Sequence, residues 1–549
     1  MKQGVVRWGI AIVAVLITGL MSQRVSAQNA GNPPVASGTP GVYNVKVYGA
    51  AGDGQTVDSP AINRAIEAAA AAGGGTVYFP AGTYLSFSLR LKSHIGLYLD
   101  HGAVLLAADP QKTEGGYDPP EPNQWDAYQD FGHSHWHNSL IRGENLEHIS
   151  IEGPGMIDGQ GLRRWDPKEA GQANKAIALK RCRNVTIRDI TISMGGHFGI
   201  LATGTDILTI DNLKIDTNRD GINIDGCHNV RISNCTVNAP NDDAIVIKSS
   251  YALGEARAAE NITITNCQVS GYDPGTLLDG TYGTAQKQAP DRDGPTGRIK
   301  CGTESNGGFK NITISNCVFR HCRGLALEIV DGGRLEDVSI SNITMRDIVN
   351  APVFIRLGNR ARGPEGTPVG TVRRVNISNV TVYDADPRYA SIISGIPGHP
   401  VEDVRLHNIR VVSRGGLSLD QVAQQPADLV NTFFFRDQGG PQPREPFETP
   451  ERADGYPEPS MFGLLPAYGL YARHVRGLSV DDVDISFLQE DRRPAFVLKD
   501  VEQADFFRAQ AQKAAGIPTF KLMGVRDFSV SQSRPVKDIR LDSVQDREL

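Results

Sequence analysis

Two short phrases carry the acids: Asn218-Arg219-Asp220 opens NRDGINIDG (218–226), and Asn241-Asp242-Asp243 opens NDDAIVIKS (241–249). Each runs into an alternating apolar stretch, GINI or AIVI. Aligning those stretches sets Asp220 beside Asp243, 23 residues later, and puts His197, Arg219 and Asp242 in the adjoining column. If consecutive phrases are neighbouring strands about 4.8 Å apart, three carboxylates gather at one edge. Crowding them raises the proton affinity of at least one. A protonated carboxyl next to an ionised one suits glycoside hydrolysis, with an acid at the leaving oxygen and a base holding water. Two plainer readings stand beside this one. Asp-Gly is a common turn pair, and clustered hard oxygens also suit calcium.

The elements that must position these acids recur down the chain. The phrase reads NVTIRDI (184–190), ILTIDNL (207–213), NVRISNC (229–235), NITITNC (261–267) and NITISNC (311–317). It continues as DVSISNI (337–343), RVNISNV (374–380) and DVRLHNI (403–409), with a late echo in GLSVDDV (477–483). Closest copies start 22 or 23 residues apart, the mark of a solenoid with one coil per repeat. Pairs such as Val185/Ile187 and Ile312/Ile314 are expected to face the core. Asn212, Asn234, Asn266, Asn316, Asn342, Asn379 and Asn408, with Asp189 and Asp482 as variants, mark one bend where side-chain amides can bond from coil to coil. On that reading the sequons at Asn261 and Asn311 are by-products of the repeat. Upstream, AINRAIEAAAAA after Asp58-Ser59-Pro60 reads as an amphipathic helix ended by Gly73-Gly74-Gly75, a lid for the first coil.

A hydrophobic content of 40% with 59 Gly and 32 Pro fits an ordered, turn-rich β protein, not a disordered one. Residues 1–27 read as a secretory signal peptide: Lys2 and Arg7, an apolar run, then Val25-Ser26-Ala27. The expected location is therefore outside the cell or periplasmic, with no membrane attachment after cleavage. Losing Lys2, Arg7 and Arg24 takes the formal charge from −6 to about −9, which excludes a basic nucleic-acid binder. Residues 28–42 read as a flexible lead-in and 43–549 as one β-helix domain. The repeat breaks at roughly 111–140, 249–260, 268–297, 358–371 and 412–475, insertions expected to wall a cleft. In the longest, Phe433, Phe434 and Phe435 are either sugar platforms or loop anchors. Cys235, Cys267 and Cys317 share the column of Ile190 and Leu213 and read as small core residues, so no disulfide is assigned.

Taken together, YGAAGDGQTVDSPAINRAIEAA, GPGMIDGQG (153–161), NRDG and NDDAIVIKS resemble glycoside hydrolase family 28, the pectin-degrading polygalacturonases and their relatives, over most of 43–410. The resemblance implies an all-β, single-stranded right-handed parallel β-helix, no metal or other cofactor, and inverting hydrolysis of a galacturonic-acid-containing chain. It makes Asp242 the general acid, and Asp220 with Asp243 the holders of the attacking water. Asn218, His197, Arg298, Lys300, Glu304, Glu328 and Asp331 are the substrate-binding candidates.

The chain also departs from the family pattern. Arg219 replaces a Thr, Thr296-Gly297-Arg298 stands where Gly-His-Gly is expected, and Ala326-Leu327-Glu328 replaces the uronate-reading Arg-Ile-Lys. Glu328 would repel a uronate carboxylate. Either Arg298 and Lys300 restore positive charge, or a neutral sugar hydrogen-bonds Glu328 and Asp331. A salt bridge between Glu328 and Arg356, which stack by register, would account for both charges. His133, His135 and His137 alternate in HSHWHN; a metal site is conceivable, with cleft-flanking loop residues the plainer expectation. The expected protein is a monomeric, exo-acting hydrolase of pectic poly- or oligosaccharide. A lyase on the same scaffold and a non-catalytic carbohydrate-binding solenoid are the alternatives.

Overall fold

The computed structural model describes residue 1 and residues 41–164, 172–288 and 292–549. The signal-peptide segment and nearly all of the 28–42 lead-in lie outside the described residues. Each repeat phrase is a strand because β-branched residues alternate with polar ones, and Val185, Ile187, Ile312 and Ile314 all point into the core as expected. One coil comprises three strands, as in Phe198–Thr203, Asp206–Asp211 and Lys214–Asp216. Every strand pairs in parallel with its counterpart one coil on: Ile200 meets Ile222, which meets Ile245, which meets Ile299. On the second face Leu208, Val230, Ile262 and Ile312 align, and on the third Ile215, Val237 and Val269. The result is a right-handed parallel β-helix. The last strand, Ile539–Glu548, runs antiparallel to Phe520–Ser531.

The Asn column fixes the bend between the second and third strands. Asn212, Asn234, Asn266, Asn316, Asn342, Asn379 and Asn408, with Asp189 and Asp482, all have φ between 50° and 65°. Asn accepts that left-handed backbone far better than most residues, for which it costs about 1–2 kcal/mol. Their amides bond along the stack: Asn342 Nδ2 to Asn316 Oδ1 at 3.0 Å, Asn379 to Asn342 at 3.0 Å and Asn408 to Asn379 at 2.9 Å. The sequon residues form a second ladder, with Asn311 donating to Asn261 (2.8 Å) and Asn261 to Asn229 (3.4 Å). All seven cysteines are buried and free. Cys182 and Cys227 donate to main-chain carbonyls, Gly143 and Ala202 respectively.

Helix Ser59–Ala71 lies over the first coils with Ile62, Ala65, Ile66 and Ala69 buried. Asp58, at the helix start, makes no side-chain capping bond. Asp58 instead accepts from Ala51 N and Gly52 N, tying the preceding turn to the helix start, and Ser59 Oγ accepts from Phe87 N. Two insertions have tighter limits than the sequence suggested. Gln268–Ser270 stays in the ladder, and the strand before the longest insertion runs on to Gly415, pairing resuming at Leu470.

Replacing Asn342 with Ala keeps the strained φ and removes two inter-coil hydrogen bonds. It should cost about 1–2 kcal/mol, read as a lower denaturant midpoint. Asn342→Asp should cost less; equal midpoints for the wild type and Asn342→Ala would remove the column's stabilising role.

Candidate active site

The acids sit on two turns that join the third strand of one coil to the first strand of the next. Asn218–Asp220 bridges Lys214–Asp216 to Ile222–Asp225, and Asn241–Asp243 bridges Thr236–Asn238 to Ile245–Ser249. The pairing of Ile222 with Ile245 delivers the expected alignment, and one oxygen from each of Asp220, Asp242 and Asp243 lies within 4.8 Å of the others. Gly221 serves a close approach: a Cβ there would lie 2.3 Å from Val237 and 2.7 Å from Ala244 O, while its N–H donates to Asp243 O.

The three carboxyls have different surroundings. Asp220 is buried, accepts from Asn223 Nδ2 at 2.9 Å and from Asp243 N, and among the described residues has no cation bonded to it. Burial and the neighbouring Asp242 charge push its pKa well above the usual carboxylate range. Asp242 keeps 14% of its side chain open. Burial would raise its pKa too, but Arg292 and Arg219 hold it well below the ordinary value. Arg219 grips Asp242 Oδ2 through Nε (3.1 Å) and Nη2 (2.7 Å), and Arg292 reaches the same oxygen at 3.3 Å. Asp243 is buried and held low, burial being outweighed by Lys300 and Arg298.

These acids floor a cavity of about 300 Å³ whose walls come from four insertions: Asp130 and His133, then Arg292, then Arg362, then Phe433, Phe434, Tyr456 and Glu458. Lys248 completes the floor, donating to Glu304 at 2.7 Å. Phe435 turns away into a cluster with Leu417, Val422 and Leu464, so the triple phenylalanine supplies both wall and anchor.

Of the substrate-binding candidates, Lys300 and Glu304 line the cavity and the others do not. Arg298 Nε donates to Asp243 at 2.8 Å, with Nη2 3.6 Å from both Glu328 and Glu458. Lys300 Nζ lies 3.3 Å from Asp243 and 3.4 Å from Glu328. Both cations are thus engaged by protein carboxylates, and Glu328, fully buried, stands behind the wall instead of facing a sugar. Glu328 and Arg356 are register partners but form no salt bridge. Arg356 bonds Ser394 Oγ and the carbonyls of Gly395, Glu451 and Arg452, anchoring the long insertion. Asp331 is buried under the Arg360 guanidinium. Asn218 accepts from Asn241 beside the turn, and His197 lies behind Arg219, its Nδ1 3.3 Å from that guanidinium. His197 packs so closely on Gly132 that a Cβ there would come within 2.1 Å of the ring.

The three HSHWHN imidazoles do not converge. His133 ends a short 3₁₀ turn and faces the cavity, His135 meets Glu121 O and Asp126, and His137 meets Glu144. The acid cluster suits calcium poorly, because guanidinium and ammonium groups already stand 2.7–3.3 Å from Asp242 Oδ2 and from both Asp243 oxygens. Lys248 was missed in the sequence although it shares the outward parity of Val246, two residues before it. Arg292, Arg362 and Tyr456 sit on irregular insertions, where no periodic signal marks them.

Residues 42–273, which include all three acids, match the family described as rhamnogalacturonase A/epimerase, pectate lyase-like. A probable polygalacturonase of Vitis vinifera is 25% identical over 397 residues, covering 66% of this chain and 73% of the relative. An exo-poly-alpha-D-galacturonosidase of Dickeya chrysanthemi is 24% identical over 396 residues, 63% of each chain. The chain thus spans under two thirds of that relative's length. Among solved structures, the Yersinia enterocolitica family 28 exopolygalacturonase superposes with a TM-score of 0.58 at 18% identity, over 91% of this chain and 80% of its own.

Arg298 holds Asp243, Glu328 and Glu458 in a buried charge cluster. Arg298→Met should therefore destabilise the fold by about 3–5 kcal/mol in denaturant titration, with Arg298→Lys recovering part. An unaltered midpoint for the Met variant would overturn this account of the cluster.

Proposed function

Starting from a polygalacturonase-like chain of the glycoside hydrolase family 28 kind, we propose that it is exported and hydrolyses glycosidic bonds at the ends of pectic, uronate-containing chains. The observation that carries this reading is the trio Asp220, Asp242 and Asp243, gathered within 4.8 Å at the floor of a cavity, with opposed proton affinities. Of the Asp220–Asp242 pair, Asp220 is the member with the raised proton affinity, so a proton shared by the pair is held more tightly there. Asp242, the most open member, presents it to the leaving oxygen. The arginines that keep Asp242 ionised at rest also make it a strong acid once protonated. Asp243, kept ionised by Arg298 and Lys300, holds the attacking water and takes its proton as the new C–O bond forms and the glycosidic bond breaks.

Most inverting enzymes separate two carboxyls by about 6.5–9.5 Å to leave room for water. A trio allows a shorter spacing, because water can be bound by Asp220 and Asp243 together and need not sit between acid and base. The cavity is at the small end of ligand pockets, about 300–1,000 Å³, which favours a chain end over a polymer running through. Since Arg298 and Lys300 are occupied, the sugar carboxylate is read by Arg362, the cavity cation with the greatest side-chain exposure at 32%.

Asp242→Asn, Asp220→Asn and Asp243→Asn should each lower turnover of galacturonan or rhamnogalacturonan about 10²–10⁴-fold, with melting unchanged for Asp220→Asn and lowered for Asp243→Asn, which leaves Arg298 and Lys300 without a buried partner. Proton NMR should show the inverted anomer, released as mono- or disaccharide from the outset. An unsaturated, ultraviolet-absorbing product would replace hydrolysis with elimination, and undiminished turnover by Asp242→Asn would refute the acid.

The pH dependence has a definite sign. Activity falls as rising pH strips the proton from the Asp220–Asp242 pair. Arg219→Thr removes a group that lowers the Asp242 pKa, so the alkaline limb should move to higher pH; a fixed limb contradicts the pairing. Arg362→Gln should raise KM for acidic ends about tenfold, with kcat little changed.

A further inference from the structure

A second cavity, of about 570 Å³, opens on the third face of the coil stack. Its floor is a column of outward strand positions: Thr236 stacks on Lys214, Gln268 on Thr236, Val318 on Gln268 and Thr344 on Val318. Beside that column Arg346 stacks directly on Arg320, and Arg346 in turn lies against Tyr383, 4.8 Å from its ring centroid. Its wall is formed by Tyr272, Leu277, Leu278 and Tyr282, from the same insertion that carries Arg292 of the catalytic cavity.

Three features mark this groove as built for a ligand. The first is exposed apolar surface. Leu278 and Tyr282 on the wall and Val318 on the floor keep 38%, 53% and 44% of their surface open. The second is charge: the described lining contains Lys214, Arg320 and Arg346 and no acid, in a chain of formal charge −6. Two arginines stacked on adjacent strands repel each other, and an anion bound between them relieves that repulsion. The third is rigidity. The buried Asp216 carboxylate accepts from Gly275 N (2.9 Å), Leu277 N (2.9 Å) and Leu278 N (3.1 Å), and Asn238 Oδ1 accepts from Tyr272 N at 2.7 Å. The wall is therefore held in place before any ligand arrives. Tyr272 and Tyr282 rings stand 5.3 Å apart at its rim.

We propose that this groove is a second carbohydrate site, holding a strand of acidic polysaccharide along the coil axis, outside the catalytic cavity. Cations repeating at the coil spacing meet carboxylates repeating along a polyuronate, while Tyr282 and Leu278 pack on the apolar faces of the sugar rings. Two of the floor strands, Lys214–Asp216 and Thr236–Asn238, run into the turns bearing Asp220 and Asp242–Asp243, so the groove lies on the same coils as the catalytic acids. This assignment rests on the reading of the substrate as a uronate polymer.

The test uses Arg320→Ala/Arg346→Ala and Tyr282→Ala, which change exposed side chains away from the catalytic acids. Migration in native gels containing polygalacturonate should be retarded for wild type and for Asp242→Asn, and retardation should weaken about tenfold in the groove variants and in high salt. kcat/KM on the polymer should fall with it, while kcat/KM on a di- or trigalacturonide stays at the wild-type value. Retardation equal in wild type and groove variants would overturn the proposal, as would a change in particle mass without a change in retardation, which would assign the face to a second copy of the chain. If Asp242→Asn is retarded through the groove but the wild type cleaves no pectic polymer, the catalytic reading falls and the groove stands. If cleavage proceeds but retention ignores the groove, only the groove falls.

Discussion

Inter-coil register is the constraint on which everything else depends. A parallel stack pairs each residue with one fixed partner on the next coil, and a slip of one position would turn every inward Ile or Val to the outside. The core therefore enforces alignment, and the pairing of Ile222 with Ile245 is what brings Asp220 against Asp243. The Asn column pins the same register from outside, through amides that reach from coil to coil at a left-handed bend. Core packing and site geometry are consequences of one alignment.

That alignment forces three acids together, and the protein answers with cations. Arg219 and Arg292 hold Asp242, while Arg298 and Lys300 hold Asp243 and Glu328. Among the described residues no cation is bonded to Asp220, and its proton affinity rises. The uneven distribution of positive charge is what separates three chemically identical side chains into different states. It also engages Arg298 and Lys300 with buried carboxylates of the protein itself.

The insertions give the uniform stack its individuality. Four of them meet over the acids and narrow an open face to a cavity. The 271–298 insertion serves two places at once, with Arg292 at the acids and Tyr272 to Tyr282 along the outer groove. Buried polar anchors fix these segments without regular secondary structure: Asp216 under one, Arg356 under another.

The sequence by itself determined the coil period, the inward columns, the Asn bend and the meeting of Asp220, Asp242 and Asp243, because all of these follow from a repeat whose spacing is written in the chain. The parity of the strands would have reached Lys248 as well. Only the tertiary structure decided which charges pair. Glu328 and Arg356 share a register position yet take different partners, since side chains of that length choose among several coils and insertions at once. It also decided that Glu328, Asp331 and Arg298 lie behind the wall, and that Arg362 and Tyr456 lie in it. Long insertions carry no period, so the place where they fold back is set by buried anchors on distant coils, not by their own spacing.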